Sequence, residues 1–243
     1  MKVNWGRLLL GLGIVYLLFQ ALAEGLGSNR GEAGVTVALA VLAALLLVER
    51  VLFGIPPADA LRALGLGRPT AKGLTASILV SAGVLAVLPV YSLLSSSPLT
   101  LRDGWLAMLP GLFCQAGIAE ETLFRGYLFR RIRATRPFWP AALWSALPFL
   151  AVHLLLFATM EWPVALAALL LALVSSFPLA HLFEAGGKTV WGPAILHFAI
   201  QGGIKVVVFP EAEATQLAVL WMAASAVIPY AAYLVAGRRS SAG

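Results

Sequence analysis

Charge is scarce in this sequence. Asp, Glu, Lys and Arg supply 12% of its 243 residues, against roughly 25% in a soluble domain. That shortage excludes an enzyme clad in water, and a hydrophobic share of 60% excludes a disordered chain. Cysteine is nearly absent. The single residue, Cys114, lies in an apolar run, so there is no intramolecular disulfide framework and no Cys/His pair has zinc-finger spacing. Histidine is scarce too, with three copies. No repeat of about 20–50 residues is visible.

What the chain has is long apolar runs. A membrane-crossing helix needs about 20 mostly apolar residues, and about eight stretches qualify. They lie near 5–23, 34–53, 73–94, 105–129, 140–157, 163–182, 190–208 and 216–236. A membrane β-barrel alternates apolar and polar residues along each strand. These runs are continuous, so the expected fold is all-α, a single polytopic helix bundle over 1–243.

The net charge of +6 would suit nucleic acid in a soluble protein. Here its distribution over the loops accounts for it, and no nucleic-acid partner is expected. Lys2, Arg7, Arg50, Arg62, Arg68, Lys72, Arg130, Arg131, Arg133, Arg136, Arg238 and Arg239 all fall on one side of the eight-span arrangement. The opposite loops carry Glu24, Arg30, Glu32, Arg102, Asp103, Glu161, Glu211 and Glu213. The positive-inside rule assigns the basic side to the cytoplasm, which places both termini there and the chain in the cytoplasmic membrane. The first span is also readable as a cleaved signal peptide, with Ala21-Leu22-Ala23 as the cleavage site. The loop 54–72 reads either as a short amphipathic helix on the cytoplasmic surface or as an ordinary polar loop.

An ionisable side chain inside a span costs roughly 2.5–3.5 kcal/mol, so each one asks for a reason. Most spans are expected to hold none. The exceptions gather in 105–205, the expected catalytic core: Gln115, Glu120, Glu121 and Arg125 on one run, His153 on the next, and His197, Gln201 and Lys205 on another, with His181 ending the run between. Residues four apart share a helix face, so Glu121 pairs with Arg125 as a structural unit. Glu120 has Phe124 at that position and is left to meet another helix. A carboxylate and an imidazole, Glu120 and His153, are suited to hold and deprotonate a water. His197 and Gln201 are suited to stabilise the oxyanion of a tetrahedral intermediate. No metal is expected, although Glu120, His153 and His197 would make a zinc set with an open position.

At these residues the chain resembles the CPBP group of intramembrane proteases, which includes the CAAX prenyl endopeptidases and bacteriocin-processing or immunity relatives. The family pattern runs Glu-Glu-x-x-x-Arg, Phe-x-x-x-His and His-x-x-x-Asn on three helices. This sequence has Glu120-Glu121-x-x-x-Arg125, Phe149-x-x-x-His153 and His197-x-x-x-Gln201, departing at Gln201. The resemblance implies a glutamate-dependent protease of the type often labelled a metalloprotease. Glu120 and His153 would activate water, His197 and Gln201 would stabilise the oxyanion, and Glu121, Arg125 and Phe149 would support them. It also implies a peptide or lipidated protein substrate held at the bilayer, whether prenylated or bearing a leader. Two readings from other classes stand beside it: an ion- or proton-coupled transporter, since buried Glu, Arg and His also mark ion pathways, and a non-catalytic scaffold or immunity protein. The gathering of polar residues in one half of the chain speaks against a transporter built of two related halves.

Overall fold

The computed structural model describes residues 3–27 and 31–237. The terminal charges Lys2, Arg238 and Arg239, and the loop charge Arg30, lie outside the described residues. The chain folds as a helical bundle. Its elements are α1 (Trp5–Gly25), α2 (Gly34–Phe53), α3 (Pro57–Ala63), α4 (Ala71–Leu85), α5 (Val87–Ser95), α6 (Trp105–Leu112), α7 (Arg130–Arg133), α8 (Phe138–His153), α9 (Trp162–Ala185), α10 (Trp191–Val206), α11 (Glu211–Val227) and α12 (Ala232–Val235). A two-residue strand, β1 (Thr100–Leu101), pairs antiparallel with β2 (Val207–Val208).

Among the described residues, six helical stretches are long and apolar enough to cross a membrane: Trp5–Gly25, Gly34–Phe53, Ala71–Ser95, Phe138–Ala158, Trp162–Ala185 and Glu211–Val235. Their outward residues are large and apolar. Leu17, Leu94 and Leu234 are 69%, 82% and 84% exposed, which suits lipid and not water. Two of the about eight expected runs are not among these six. α10 has only 16 residues, and 105–129 is not one uniform α-helix. These are the two runs that carry most of the polar residues.

Between α6 and α7 the backbone winds as a π-helix over Phe113–Ala119 and again over Thr122–Phe129. The amide of Glu120 donates to the carbonyl of Gln115, and that of Arg130 to Arg125. Each bond spans five residues instead of four. π-Winding is rare and concentrates at functional sites. Side chains take up carbonyls at the far end: Arg130 Nε donates to Gly126 O at 3.0 Å and Arg131 Nη1 to Tyr127 O at 3.1 Å.

Both ends of the site-bearing pair are stapled. At one end β1 and β2 join the entry to α6 with the exit from α10, and Arg102 N donates to Val206 O at 2.9 Å. At the other, the loop 54–72 docks on the core. It contains a short helix, α3. Val190 N donates to Gly65 O at 2.9 Å and Trp191 Nε1 to Gly67 O at 2.8 Å. Gly126 lets this loop in close: a Cβ there would sit 2.1 Å from Leu64 O.

The expectation that spans outside the core hold no buried charge fails at Glu49. This α2 residue is fully buried and pairs with Arg131, with Arg130 at 3.5 Å. Arg133 binds Glu184 at 2.5 Å, and Arg136 lies over the Trp144 ring at 5.3 Å. The 130–136 arginines therefore hold the bundle together.

Candidate active site

Two apolar clusters meet at the site. One includes Leu8, Val41, Ala119, Leu123 and Phe149; the other includes Val80, Leu112, Leu196 and Ile200. Gly117 brings the π-wound segment against α10. A Cβ at that position would stand 3.0 Å from Ala194 O. The absence of one lets the two backbones approach closely enough for the carboxylates on one to meet the imidazole on the other.

Glu121 is fully buried. Its Oε1 accepts from Arg125 Nη1 at 3.0 Å, the pairing expected from their spacing. The same oxygen takes His197 Nδ1 at 2.6 Å. That nitrogen faces a carboxylate and carries the ring proton. The other ring nitrogen, Nε2, lies 2.9 Å from Gln201 Nε2 and 3.8 Å from Glu120 Oε2. His197 is thus held chiefly by Glu121, the carboxylate the spacing had assigned to Arg125 alone. With Nε2 accepting one amide hydrogen, Gln201 keeps a second to give.

His153 ends α8, where the last carbonyls of a helix lack intrahelical donors. Its Nδ1 donates back to Phe149 O at 2.8 Å, which leaves Nε2 as the free acceptor. Phe149 is buried at the junction. Its ring meets His153 and Phe124 edge-on with centroids 4.6 Å away in each case, and the Arg125 guanidinium lies over it at 5.2 Å. Arg125 therefore links the Glu121 pair to the residue that orients His153.

Glu120, Phe149, His153 and Gln201 line one cavity of about 190 Å³, with Leu123, Phe124 and Val152. Glu120 is the carboxylate in this wall, with its side chain 14% exposed. Glu120, His153 and His197 are not drawn together around one point: among the described residues no three His, Cys, Asp or Glu side chains form a group that could hold a metal ion. His181 stacks on Tyr233, with ring centroids 4.2 Å apart.

The remaining wall comes from α1, as Tyr16, Phe19 and Gln20. These residues had not been assigned to the site. The signal was present in the sequence as polar residues at four-residue spacing in an otherwise apolar span.

Residues 102–202 match the family model for Rce1-like type II CAAX prenyl endopeptidases. The match spans the π-wound segment, α8 and most of α10. It supports the resemblance to the CPBP family over that region. No curated protein matches the sequence closely enough to be aligned with it. With six helices among the described residues long and apolar enough to cross a membrane, the chain is an integral membrane protein. α1 to α5, and with them the α1 wall of the cavity, lie outside the matched region.

Proposed function

We propose that the chain is an intramembrane endopeptidase of glutamate type. Glu120 and His153 activate a water, and His197 and Gln201 stabilise the oxyanion. One observation carries the reading: of two adjacent carboxylates, Glu121 is consumed by Arg125 and His197, while Glu120 faces the cavity beside His153 and Gln201.

The chemistry follows from the donor set. Water held between Glu120 and His153 attacks the scissile carbonyl as Glu120 takes its proton, with the acceptor Nε2 of His153 holding the second hydrogen. The amide of Gln201 donates to the developing oxyanion. His197 Nε2 accepts the other hydrogen of that amide and so aims it, with Glu121 fixing the ring through Nδ1. Collapse of the intermediate breaks the C–N bond, and Glu120 returns the proton to the leaving amine. The apolar surroundings exclude other water and strengthen each of these interactions.

The substrate is a membrane-associated peptide or lipidated protein, prenylated or leader-bearing. The chain sits in the cytoplasmic membrane with both termini in the cytoplasm. The docking of the Arg- and Lys-bearing loop 54–72 at the end of α9 supports one basic face: Thr70 Oγ1 donates to Ala185 O at 2.8 Å. No step here uses a metal.

The test is whether the purified chain releases a defined fragment from a membrane-anchored peptide, read by mass spectrometry, with and without a zinc chelator. Cleavage that persists with chelator supports the reading. Cleavage that the chelator abolishes and zinc restores would make the chain a metalloprotease. Substrate-dependent proton flux without cleavage would make it a carrier, and neither activity would make it a scaffold.

A further inference from the structure

The hydrolysis proposed above consumes one water per turnover, and its protons end on the two products. The site must therefore be fed water, while apolar side chains surround it. α1 offers the means. Tyr16, Gln20 and Glu24 recur at four-residue spacing along a span that is otherwise almost wholly apolar, so they form one polar stripe. Tyr16 Oη donates to Gln20 Oε1 at 3.4 Å, and Gln20 Nε2 donates to Glu24 Oε1 at 2.5 Å. Tyr16 and Gln20 line the cavity that holds Glu120, and Glu24 is exposed at the helix end. The adjacent Leu17 turns outward to the lipid. A polar stripe inside a span is costly unless it faces water or a partner.

We propose that Tyr16, Gln20 and Glu24 line a water path from the aqueous surface at the C-terminal end of α1 to the Glu120 cavity. Gln20 is the positioning residue at its inner mouth. Its paired donor and acceptor groups hand water on without trapping it, and Glu24 keeps the outer mouth wet. The path rests on the proposed hydrolysis for its purpose, but its existence is testable without any cleavage.

The experiment uses the full chain in vesicles, with Cys114→Ala as the background and a charged methanethiosulfonate as the probe. Gln20→Cys is expected to react at least about tenfold faster than Leu17→Cys, because the charged reagent travels in water and not in hydrocarbon. Equal rates would overturn the path. In a cleavage assay, Gln20→Leu is expected to lower kcat with KM unchanged, and Gln20→Asn to recover part of the loss. Fast labelling with full cleavage by Gln20→Leu would overturn the role in supply. If the parent protein cleaves nothing, the hydrolase reading fails, and the labelling rates still decide whether the path exists.

Discussion

Nδ1 of His197 lies 2.6 Å from Oε1 of Glu121, the same oxygen that Arg125 Nη1 reaches at 3.0 Å. A single carboxylate thus anchors a cation on its own segment and an imidazole on α10. The neighbouring carboxylate, Glu120, is left to the cavity. The division of labour between two adjacent glutamates follows from this one contact.

Arg125 is the counter-charge that makes Glu121 tolerable under the lipid surface. Removing one member of a buried pair leaves the other uncompensated and costs about 3–5 kcal/mol. Arg125→Ala should lower the melting temperature in detergent markedly. A variant that melts with the parent would show that the ion pair does not hold the site.

The same reasoning applies at Glu49, remote from the cavity. Glu49→Ala strands Arg131 and Arg130 and should cost about 3–5 kcal/mol. The KM of the folded fraction should be unchanged. A loss of substrate affinity without loss of stability would place Glu49 in substrate binding instead.

His153 has its Nδ1 committed to Phe149 O, so its part in the chemistry falls to Nε2. His153→Ala should lower kcat by about 10²–10⁴-fold with little change in KM. Thermal unfolding controls for the fold. A change in KM alone would make His153 a binding residue.

Gln201 differs from the family's Asn by one methylene, and its amide reaches His197 at 2.9 Å. Gln201→Leu removes the donor and should lower kcat by about 10²–10³-fold. Gln201→Asn keeps the amide but withdraws it by about 1 Å, enough to matter for rate, so its kcat should fall between parent and Leu. If Asn equals Leu, amide position outweighs amide chemistry. If Leu equals the parent, Gln201 does not touch the oxyanion.

The helices, and the gathering of Glu120, His153, His197 and Gln201 in one region, were legible because charge inside an apolar run is expensive and stands out. The Glu121–Arg125 pair was legible from its spacing. Which glutamate would meet His197 was not. That depends on how the helix is rotated against α10, which the Gly117–Ala194 contact and the π-winding set, and five-residue hydrogen bonds leave no simple periodic mark. Glu49 escaped notice beside Arg50 at a span's end, where a charge usually reaches water. Tyr16 and Gln20 escaped because neither is charged. Their spacing with Glu24 was the available clue.

The most direct measurement is cleavage of a membrane-anchored peptide by purified Glu120→Gln, with the parent and Glu121→Gln alongside. The substitution keeps size and hydrogen bonding but removes the base. The account predicts a parent that cleaves, and a folded Glu120→Gln whose kcat falls by at least about 10²–10⁴-fold. Glu121→Gln should lose stability as well as rate. A folded Glu120→Gln that cleaves at the parent's rate would contradict the account.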